Sequence, residues 1–369
     1  MKNPFEQIGL KRVVNASGRM TALGVSTLSD EVAQATISGG QNYVEITSLY
    51  EKVGEIVSRY TQAEDSCVTS CASAGICMSV AGIISKGNRT LMERLPDSSG
   101  LANEIIIQKG HCVQFGAPVT TMIALGGGKV VEVGLANETA CEHVVDAITE
   151  KTAALIYIKS HHCIQKGMLS LDEMIRIGHE HNLPVIVDAA AEEDLRIYVA
   201  KGADLVIYSG AKAFEATTSG IITGKKQYVE YARKQFSGIG RPMKVGKENI
   251  MGLLKALELY ENKDHVAEVN RNVAIVDYLV DEINKISGLS ATKIRDEAGR
   301  EIWRAQVKVD EKRLNMNASQ MEKVLREGNP SIHTRRHLLN LGYISFDARP
   351  MIEGDKELII ARLKEITGE

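Results

Sequence analysis

Residues 183–212 read LPVIVDAAAEEDLRIYVAKGADLVIYSGAK, and this stretch decides the fold. One apolar run ends at Asp188, and a second ends at Ser209, three residues before Lys212. Short apolar runs separated by a helical segment are typical of parallel strands that are buried on both faces. The carboxyl ends of such strands meet at one edge of the sheet, where α/β proteins bind their ligands. The stretch therefore predicts that Asp188, Ser209 and Lys212 come together.

An acid and a lysine at neighbouring strand ends match the needs of one cofactor, pyridoxal 5'-phosphate (PLP). PLP requires a lysine that bonds to its aldehyde, a carboxylate for its pyridine nitrogen, and donors for its phosphate. Lys212 would be the first and would also move a substrate proton, and Asp188 would be the second. The competing interpretation is a surface lysine and a strand-capping acid, which many α/β proteins have.

A run of small residues precedes an apolar segment at residues 76–84 and predicts a phosphate-binding loop. The first amides of a helix bind phosphate through unpaired N–H groups and the helix dipole. Ordinary capping of the helix by a hydroxyl is the alternative. Ser209 would add a hydroxyl to the phosphate donors. The loop residues assigned to the phosphate are Ser70, Cys71, Ala72 and Ser73.

Strands and helices alternate around this stretch, which predicts an α/β fold with a mostly parallel sheet. Residues 141–150 have the apolar spacing of an amphipathic helix, and a capping box at Ser170 opens another. Residues 247–286 indicate one long helix or a broken pair, and the chain beyond them indicates a small α+β domain. The predicted divisions are an N-terminal segment (1–30), a large domain (31–246), a connecting helix region (247–286) and a small C-terminal domain joined by the N-terminal segment (287–369).

The amino-acid composition and net charge limit the classes of partner that the protein is expected to bind. The chain has 369 residues, is 44% hydrophobic and carries a formal net charge of −3. Such a balance gives no electrostatic footprint for nucleic acid or for an anionic membrane, so we expect neither as a partner. The first 18 residues lack the apolar run of a signal peptide, and no apolar run reaches the length of a membrane span.

The cysteines favour a reducing, cytoplasmic location. Their spacing makes no disulfide framework and contains no CxxC pair. The sequence His161-His162-Cys163 has no second ligand pair at zinc spacing, so we expect no metal. The six cysteines are Cys67, Cys71, Cys77, Cys112, Cys141 and Cys163.

Longer motifs resemble the bacterial selenocysteine synthase group of fold-type I PLP enzymes. The group motifs are Asp188 with Ser-Gly-Xaa-Lys at 209–212, VNASG at 14–18 and IGRPMKVG at 239–246. More specific stretches resemble a branch of that group whose members are ammonia-lyases of phosphorylated amino-sugar acids. These stretches span most of the chain and are NASGRMTALGVS (15–26), TSCASAGI (69–76), KSHHCIQKGMLS (159–170), VDAAAEEDLR (187–196) and SGAKAF (209–214).

The resemblance implies an aspartate aminotransferase-like fold, PLP as cofactor, and elimination of a C3 hydroxyl from a phosphorylated 2-amino-sugar acid. Ammonia and a 2-keto-3-deoxy sugar acid phosphate would be the products. It also implies at least a homodimer, because fold-type I enzymes build their sites at a dimer interface. The N-terminal segment with Asn15 and Arg19 shows no strand of its own to join, so we expect it to pack on a neighbouring subunit.

One triplet departs from the selenocysteine synthase pattern. Leu23-Gly24-Val25 stands where that group has Leu-Gly-Arg, which puts the selenium-donor site in doubt. The motifs also begin near the first residue, so we expect no RNA-binding domain before them. Two alternatives to the lyase stay open: a selenium transferase acting on seryl-tRNA, and a non-catalytic PLP-fold binding protein. The intact Asp188 and Lys212 argue against the second.

Four further residues are candidates for the site. His162 follows a predicted strand and could contact the cofactor hydroxyl or the leaving group, and His111 could stack on the cofactor ring. Glu192 or Glu193 could protonate the departing hydroxyl. The alternative for the two histidines is a structural role, and the alternative for the two glutamates is a solvated first turn of a helix.

The implied substrate has a carboxylate and a phosphate, and both need cations. Arg349, in FDARP at 346–350, lies where fold-type I enzymes often place a carboxylate-binding arginine. Arg241 and Lys244 are spaced like an anion-binding pair. A surface charge is the alternative for any single residue. The substrate-binding candidates are Arg19, Arg241, Lys244, Arg335 and Arg349.

Overall fold

A computed structural model of the chain describes residues 3–160, 162–296 and 300–369. The chain divides into two compact units. The sheet unit comprises residues 28–262, and the terminal unit combines the chain up to Thr27 with the chain from Lys263 onwards.

The strands and helices alternate along most of the chain. The strands are β1 (Val13–Ala16), β2 (Asp65–Thr69), β3 (Glu104–Gln108), β4 (Lys129–Val133), β5 (Thr152–Ile158), β6 (Val185–Asp188), β7 (Leu205–Ser209), β8 (Gly220–Gly224), β9 (Leu289–Arg295), β10 (Trp303–Val309), β11 (Ser331–Thr334) and β12 (Tyr343–Asp347). The helices are α1 (Pro4–Gln7), α2 (Asp30–Gln41), α3 (Ile46–Thr61), α4 (Ala72–Ser85), α5 (Arg89–Arg94), α6 (Val119–Leu125), α7 (Cys141–Val145), α8 (Leu171–Glu180), α9 (Ile197–Ala200), α10 (Lys226–Lys234), α11 (Lys247–Glu261), α12 (His265–Ile283), α13 (Glu311–Leu314), α14 (Ala318–Glu327) and α15 (Asp355–Thr367).

The sheet unit is built on a seven-stranded sheet with the order β2-β8-β7-β6-β5-β3-β4. In this sheet β8 runs opposite to the other six strands, which confirms the predicted α/β fold with a mostly parallel sheet. Every residue of β5, β6 and β7 is buried. The continuous apolar runs of the sequence arise because helices cover both faces of these strands.

Alternation along the central strands sorts their side chains into two apolar layers. Ile186 and Ile207 pack with α4, whereas Val187 and Tyr208 belong to the opposite layer, which includes α8 and α11. Successive strand residues point to opposite faces. Asp188 and Ser209 therefore end their strands on the α4 side of the sheet.

The terminal unit contains an antiparallel sheet with the order β12-β10-β9, around which α12, α14 and α15 form the apolar core. A separate pair joins β1 to β11 in parallel, with Val13 opposite Ser331. The expectation that the N-terminal segment has no strand to join is therefore wrong. Its partner strand lies near the other end of the chain, so local pattern did not reveal it. The homodimer stays a prediction without that support.

One helical prediction needs adjustment, and another is confirmed as the broken pair of helices that the sequence allowed. The helix predicted at residues 141–150 ends at Val145, because Thr149 and Thr152 form a turn in which the Thr149 N–H donates to Thr152 Oγ1 at 2.9 Å. Residues 247–286 form two helices, α11 and α12, and Asp264 caps the second by accepting from the Ala267 N–H at 2.9 Å. Within the described part of the chain, no helix has the length and apolar character needed to cross a membrane.

Candidate active site

Asp188 is buried and Lys212 is half-buried at the carboxyl end of the sheet, and the two groups influence each other electrostatically. Burial raises the pKa of the Asp188 carboxyl to about 6, against the opposing effect of the Lys212 charge. Burial likewise lowers the pKa of the Lys212 ammonium, and Asp188 opposes that shift. Desolvation disfavours the charged form of each group. The parallel pairing of β6 with β7 brings their ends together, as the sequence predicted, and the roles of Asp188 and Lys212 stay predictions.

The loop from β7 to β8 holds Lys212 by closing on itself. The Gly210 N–H donates to the Ser219 carbonyl at 2.9 Å, and the Ala216 N–H donates to the Gly210 carbonyl at 2.9 Å. A side chain at Gly210 would overlap Ser219. These bonds hold the backbone on both sides of Lys212, so the lysine side chain extends from a turn that is closed by backbone hydrogen bonds.

The N-terminus of α4 lies against the same strand ends. Cys71 caps the helix, its Sγ accepting from the Ala74 N–H at 3.4 Å. A Cβ at Gly75 would be 2.8 Å from Ile207 Cγ2, and one at Gly220 would overlap the backbone of Cys71. Glycines thus allow the helix to approach β7 and β8 closely. The first amides of a helix have no partner within the helix, so this end can receive a phosphate.

A contact that the sequence did not indicate fixes the strand leading into this helix. The Met243 carbonyl accepts from Thr69 Oγ1 at 2.7 Å and from the Ser70 N–H at 2.9 Å. Met243 lies in the segment IGRPMKVG, which the sequence related to the family resemblance and to anion-binding charges. The segment therefore also has a structural role at the start of the loop that is predicted to bind phosphate.

Replacing Gly220 by alanine should weaken PLP binding at least about tenfold and lower the melting temperature. The new methyl group would overlap the Cys71 backbone, so α4 and β8 must separate. PLP titration and thermal unfolding measure the two effects. Gly40→Ala is the matched control, since its Cβ would meet nothing closer than 3.8 Å. Unchanged PLP affinity in Gly220→Ala would show that this helix end does not hold the phosphate.

The loop after β5 adds a thiol that sequence analysis missed. Cys163 donates from Sγ to the Ile158 carbonyl at 3.4 Å, and the Lys159 N–H donates to the Asp188 carbonyl at 2.8 Å. Burial raises the pKa of the Cys163 thiol to about 12, and the Asp188 charge adds to the shift. No sequence signal could show this placement, because it depends on how the loop folds back.

His111 is fully buried. Its Nδ1 accepts from the Ile158 N–H at 3.3 Å, and its ring meets Tyr157 edge-on, with centroids 4.6 Å apart. Burial, aided by the charge of Lys159, lowers the His111 pKa to about 4, so the ring is neutral near pH 7. Stacking on a cofactor ring remains a prediction for this residue.

His162 is exposed and lines a cavity of about 390 Å³ together with Lys109, Gln114 and Ile164. The cavity is confined to the sheet unit, beside the loops that follow β3 and β5. His161 lies outside the described residues. A contact between His162 and the cofactor or leaving group remains a prediction.

Glu192 and Glu193 lie in a loop before α9, so the alternative interpretation of a first helical turn is wrong. Glu192 is half-buried, and its Oε2 accepts from the Tyr198 hydroxyl at 2.8 Å. Glu193 is exposed, and its backbone carbonyl accepts from the Tyr260 hydroxyl at 2.7 Å. Protonation of the leaving group by Glu192 or Glu193 remains a prediction. Glu192 already accepts a hydrogen bond from the Tyr198 hydroxyl.

The predicted substrate cations divide between the two units. Arg241 and Lys244 are exposed in the sheet unit, where Arg241 influences the Tyr50 hydroxyl electrostatically. Arg19 belongs to the terminal unit, with its Nη2 3.8 Å from Glu268 Oε1. These placements leave their roles as substrate ligands untested.

The other two arginines lie together in the terminal unit. Arg349 donates from Nε and Nη2 to the two carboxylate oxygens of Asp347, at 3.0 and 2.9 Å. Arg335 interacts electrostatically with both residues. Asp347 was not identified from the sequence, although it lies two residues before Arg349 in the FDARP motif.

Comparison with known proteins gives concordant matches. Residues 13–327 match the model of a family described as SelA: L-seryl-tRNA selenium transferase. A D-glucosaminate-6-phosphate ammonia lyase of Salmonella typhimurium (strain 14028s / SGSC 2262) is 52% identical, over 99% of this chain and 98% of its own length. A 5'-C-glycyluridine monooxygenase-decarboxylase of Streptomyces sp is 41% identical, over 98% of this chain and 91% of its own.

A solved structure described as D-glucosaminate-6-phosphate ammonia-lyase matches with a TM-score of 0.94 at 51% identity. The match covers 100% of this chain and 99% of that one. The architecture is that of fold-type I, as expected from the sequence.

Proposed function

The chain belongs to the family described as L-seryl-tRNA selenium transferases, and from that membership we propose that it is a PLP-dependent ammonia-lyase acting on D-glucosaminate 6-phosphate. The observation that carries the proposal is full-length identity of 52% to a lyase of that name. The electrostatic coupling of buried Asp188 with half-buried Lys212 supports the chemistry. The family description alone would favour a transferase, but the close relative has the lyase name.

The donor set fits PLP. Lys212 is a half-buried amine with a lowered pKa, and Asp188 is a buried carboxyl group whose ionised form the positive ring nitrogen would favour. Ser70, Cys71, Ala72 and Ser73 at the α4 N-terminus, with Ser209, would hold the phosphate. When bound, PLP acts as the electron sink for the bond broken at substrate C2.

Lys212 is the proposed base at C2. Because burial lowers its ammonium pKa, more of the amine is neutral and able to accept the proton. The C3 hydroxyl then takes a proton and leaves as water. One water is taken up again when ammonia departs, so the products are 2-keto-3-deoxy-6-phosphogluconate and ammonia. Asp188 would keep the ring nitrogen protonated throughout.

The same proposal includes binding of both substrate anions by cations. Arg19, Arg241, Lys244, Arg335 and Arg349 are the proposed ligands, since carboxylates and phosphates favour charge-assisted hydrogen bonds to arginine. We also propose a homodimer or higher homo-oligomer and a cytoplasmic location. The family resemblance supports the first, and six free cysteines are in keeping with the second.

Purified protein should convert D-glucosaminate 6-phosphate into equal amounts of ammonia and 2-keto acid. Oxygen consumption and CO2 release should both be absent, because this elimination neither oxidises the substrate nor removes its carboxylate. Measuring oxygen consumption and CO2 release therefore distinguishes this elimination from the monooxygenase-decarboxylase reaction named for the Streptomyces relative. The C2 epimer, D-mannosaminate 6-phosphate, is the control for stereochemistry. No keto acid, together with binding of seryl-tRNA at physiological salt, would favour the transferase instead.

A further inference from the structure

The cavity of about 390 Å³ in the sheet unit lies at the same edge of the sheet as Asp188. The loops after β3, β4 and β5 line it, and these strands run parallel to β6, so all four strands end at one edge. The loop after β5 begins next to β6, where the Lys159 N–H donates to the Asp188 carbonyl at 2.8 Å. It then reaches the cavity, where the Ile164 N–H donates to the Gly110 carbonyl at 3.1 Å. One loop therefore connects the Asp188 strand with the wall of the cavity.

Close packing at two glycines fixes the shape of this cavity. A Cβ at Gly110 would be 2.7 Å from Met168 Sδ and 3.1 Å from Ile164 Cβ, so the loops after β3 and β5 are in direct contact. A Cβ at Gly167 would overlap the Asn137 carbonyl, which shows that the loop after β4 packs against the loop after β5 in the same way. The three loops therefore support one another around the cavity.

The polar side chains that line the cavity can donate hydrogen bonds. Lys109 is exposed, and among the described residues no acceptor receives a hydrogen bond from its ammonium. The Gln114 Oε1 accepts from the Gly116 N–H at 3.2 Å, so the amide nitrogen is the part of this side chain that can donate to a ligand. None of the described lining residues is acidic, and Glu132, which interacts with the Cys112 thiol, does not line the cavity. This donor set suits an anion.

The distance from Asp188 decides which substrate anion can reach the cavity. Neighbouring strands are about 4.8 Å apart, and β3 is two strands from β6, so the loop after β3 is about 10 Å from the Asp188 strand. The substrate carboxylate is bonded to C2, the carbon at which Lys212 is the proposed base, so it stays close to that lysine. The phosphate is at the other end of the carbon chain. It is therefore the anion that can extend away from Asp188 towards Lys109.

We propose that this cavity binds the phosphorylated end of the substrate, with Lys109 as a phosphate ligand and Gln114 as a second donor. The proposal rests on the proposed function. An ammonium is a compact charge on a flexible stem, so an exposed lysine can follow a phosphate without a fixed geometry. The volume of about 390 Å³ also lies within the range of small-molecule sites.

Three unreactive ligands, titrated calorimetrically into the PLP-loaded protein, separate the two ends of the substrate. Gluconate 6-phosphate has both anions, glucitol 6-phosphate lacks the carboxylate, and gluconate lacks the phosphate. Lys109→Gln should weaken gluconate 6-phosphate and glucitol 6-phosphate on the order of tenfold or more and leave gluconate within about twofold. Lys109→Arg should lose less, because it keeps the charge. Retained gluconate binding also shows that the variants are folded.

A second variant tests the cavity without changing its charge. Ala136 lines the cavity and is exposed, so a tryptophan at this position can fill the cavity without entering the core. Ala136→Trp should weaken the two phosphorylated ligands and spare gluconate, as Lys109→Gln does. Lys129→Gln is the matched control, since Lys129 binds Glu104 at 2.9 Å at the opposite ends of β3 and β4. It should leave all three affinities unchanged.

Three results would overturn the proposal. Unchanged affinities in both Lys109→Gln and Ala136→Trp would show that the phosphate binds elsewhere. Loss of gluconate binding with glucitol 6-phosphate binding retained would assign the cavity to the carboxylate. An equal loss of all three ligands, with normal binding in Lys129→Gln, would show that Lys109 supports the site as a whole rather than the phosphate.

Failure of the proposed function gives a different pattern. If wild-type protein forms keto acid from D-glucosaminate 6-phosphate while both variants bind the phosphorylated ligands normally, the function stands and only the assignment of the cavity falls. If wild-type protein forms no keto acid but loses phosphorylated ligands selectively in both variants, the phosphate site stands and the substrate is a different phosphorylated compound.

Discussion

Replacing Lys212 by alanine should remove the visible absorbance band of the PLP-loaded protein and lower turnover more than about a thousandfold. The band reports the covalent bond between the lysine and the cofactor aldehyde, and the same amine is the proposed base at C2. Absorbance spectra and ammonia release measure the two effects. Borohydride should bleach the band in wild type and fix the cofactor on Lys212, which peptide mass spectrometry can locate.

Lys201→Ala is the matched control for this change. Lys201 binds Asp172 at 2.7 Å on the surface, so the variant should keep both band and activity. Lys212→Ala should still fold, because the loop is closed by backbone bonds at Gly210 and Ala216 rather than by the lysine. A Lys212→Ala protein with wild-type turnover would refute the assignment of the lysine, whatever its colour.

The core of the site follows from local sequence pattern. Asp188 and Ser209 end two consecutive apolar runs, and a sheet with mostly parallel strands brings such ends together. The run of small residues at Ser70–Ser73 precedes an apolar segment that is recognisable in the same way. The positions of these strand ends and of this helix start depend on residues a few positions apart and on one general rule of sheet topology, so the sequence could predict them.

Other features depend on contacts between distant segments. β1 pairs with β11, Thr69 bonds to Met243, and Gly220 meets Cys71, and no local pattern indicates any of these pairings. The arginines show the same limit. Their residue type suggested anion binding, but the carboxylate that already occupies Arg349 is visible only in the structure. Sequence thus indicates which side chains are suited to the chemistry, whereas the fold determines which of them have partners.

Replacing Asp188 by asparagine should slow turnover on the order of a hundredfold or more, because a neutral amide cannot hold the ring nitrogen protonated. Ammonia release at saturating PLP measures this effect, which separates it from weaker cofactor binding. Asp172→Asn is a control, since that acid binds only surface Lys201 in the described structure. Near-normal turnover in Asp188→Asn would make the acid structural.

Asp188→Asn should stabilise the cofactor-free protein at pH 8, although it should slow turnover of the loaded enzyme. The folded-state pKa of Asp188, about 6, lies above its usual value of 3.8, so the folded protein holds this proton more tightly than the unfolded chain. Asp188 therefore contributes most to the stability of the folded protein below pH 3.8, and this contribution is lost as pH rises through about 6. At pH 8 the buried charge destabilises the cofactor-free wild type, and Asp188→Asn should melt at a higher temperature. The difference in melting temperature should shrink towards pH 4. At pH 8 with PLP bound it should reverse, because the carboxylate is then paired with the ring nitrogen of the cofactor. Melting curves of both proteins, with and without PLP, test this; a cofactor-free Asp188→Asn protein less stable than wild type at pH 8 would show that the carboxylate supports the fold rather than the cofactor.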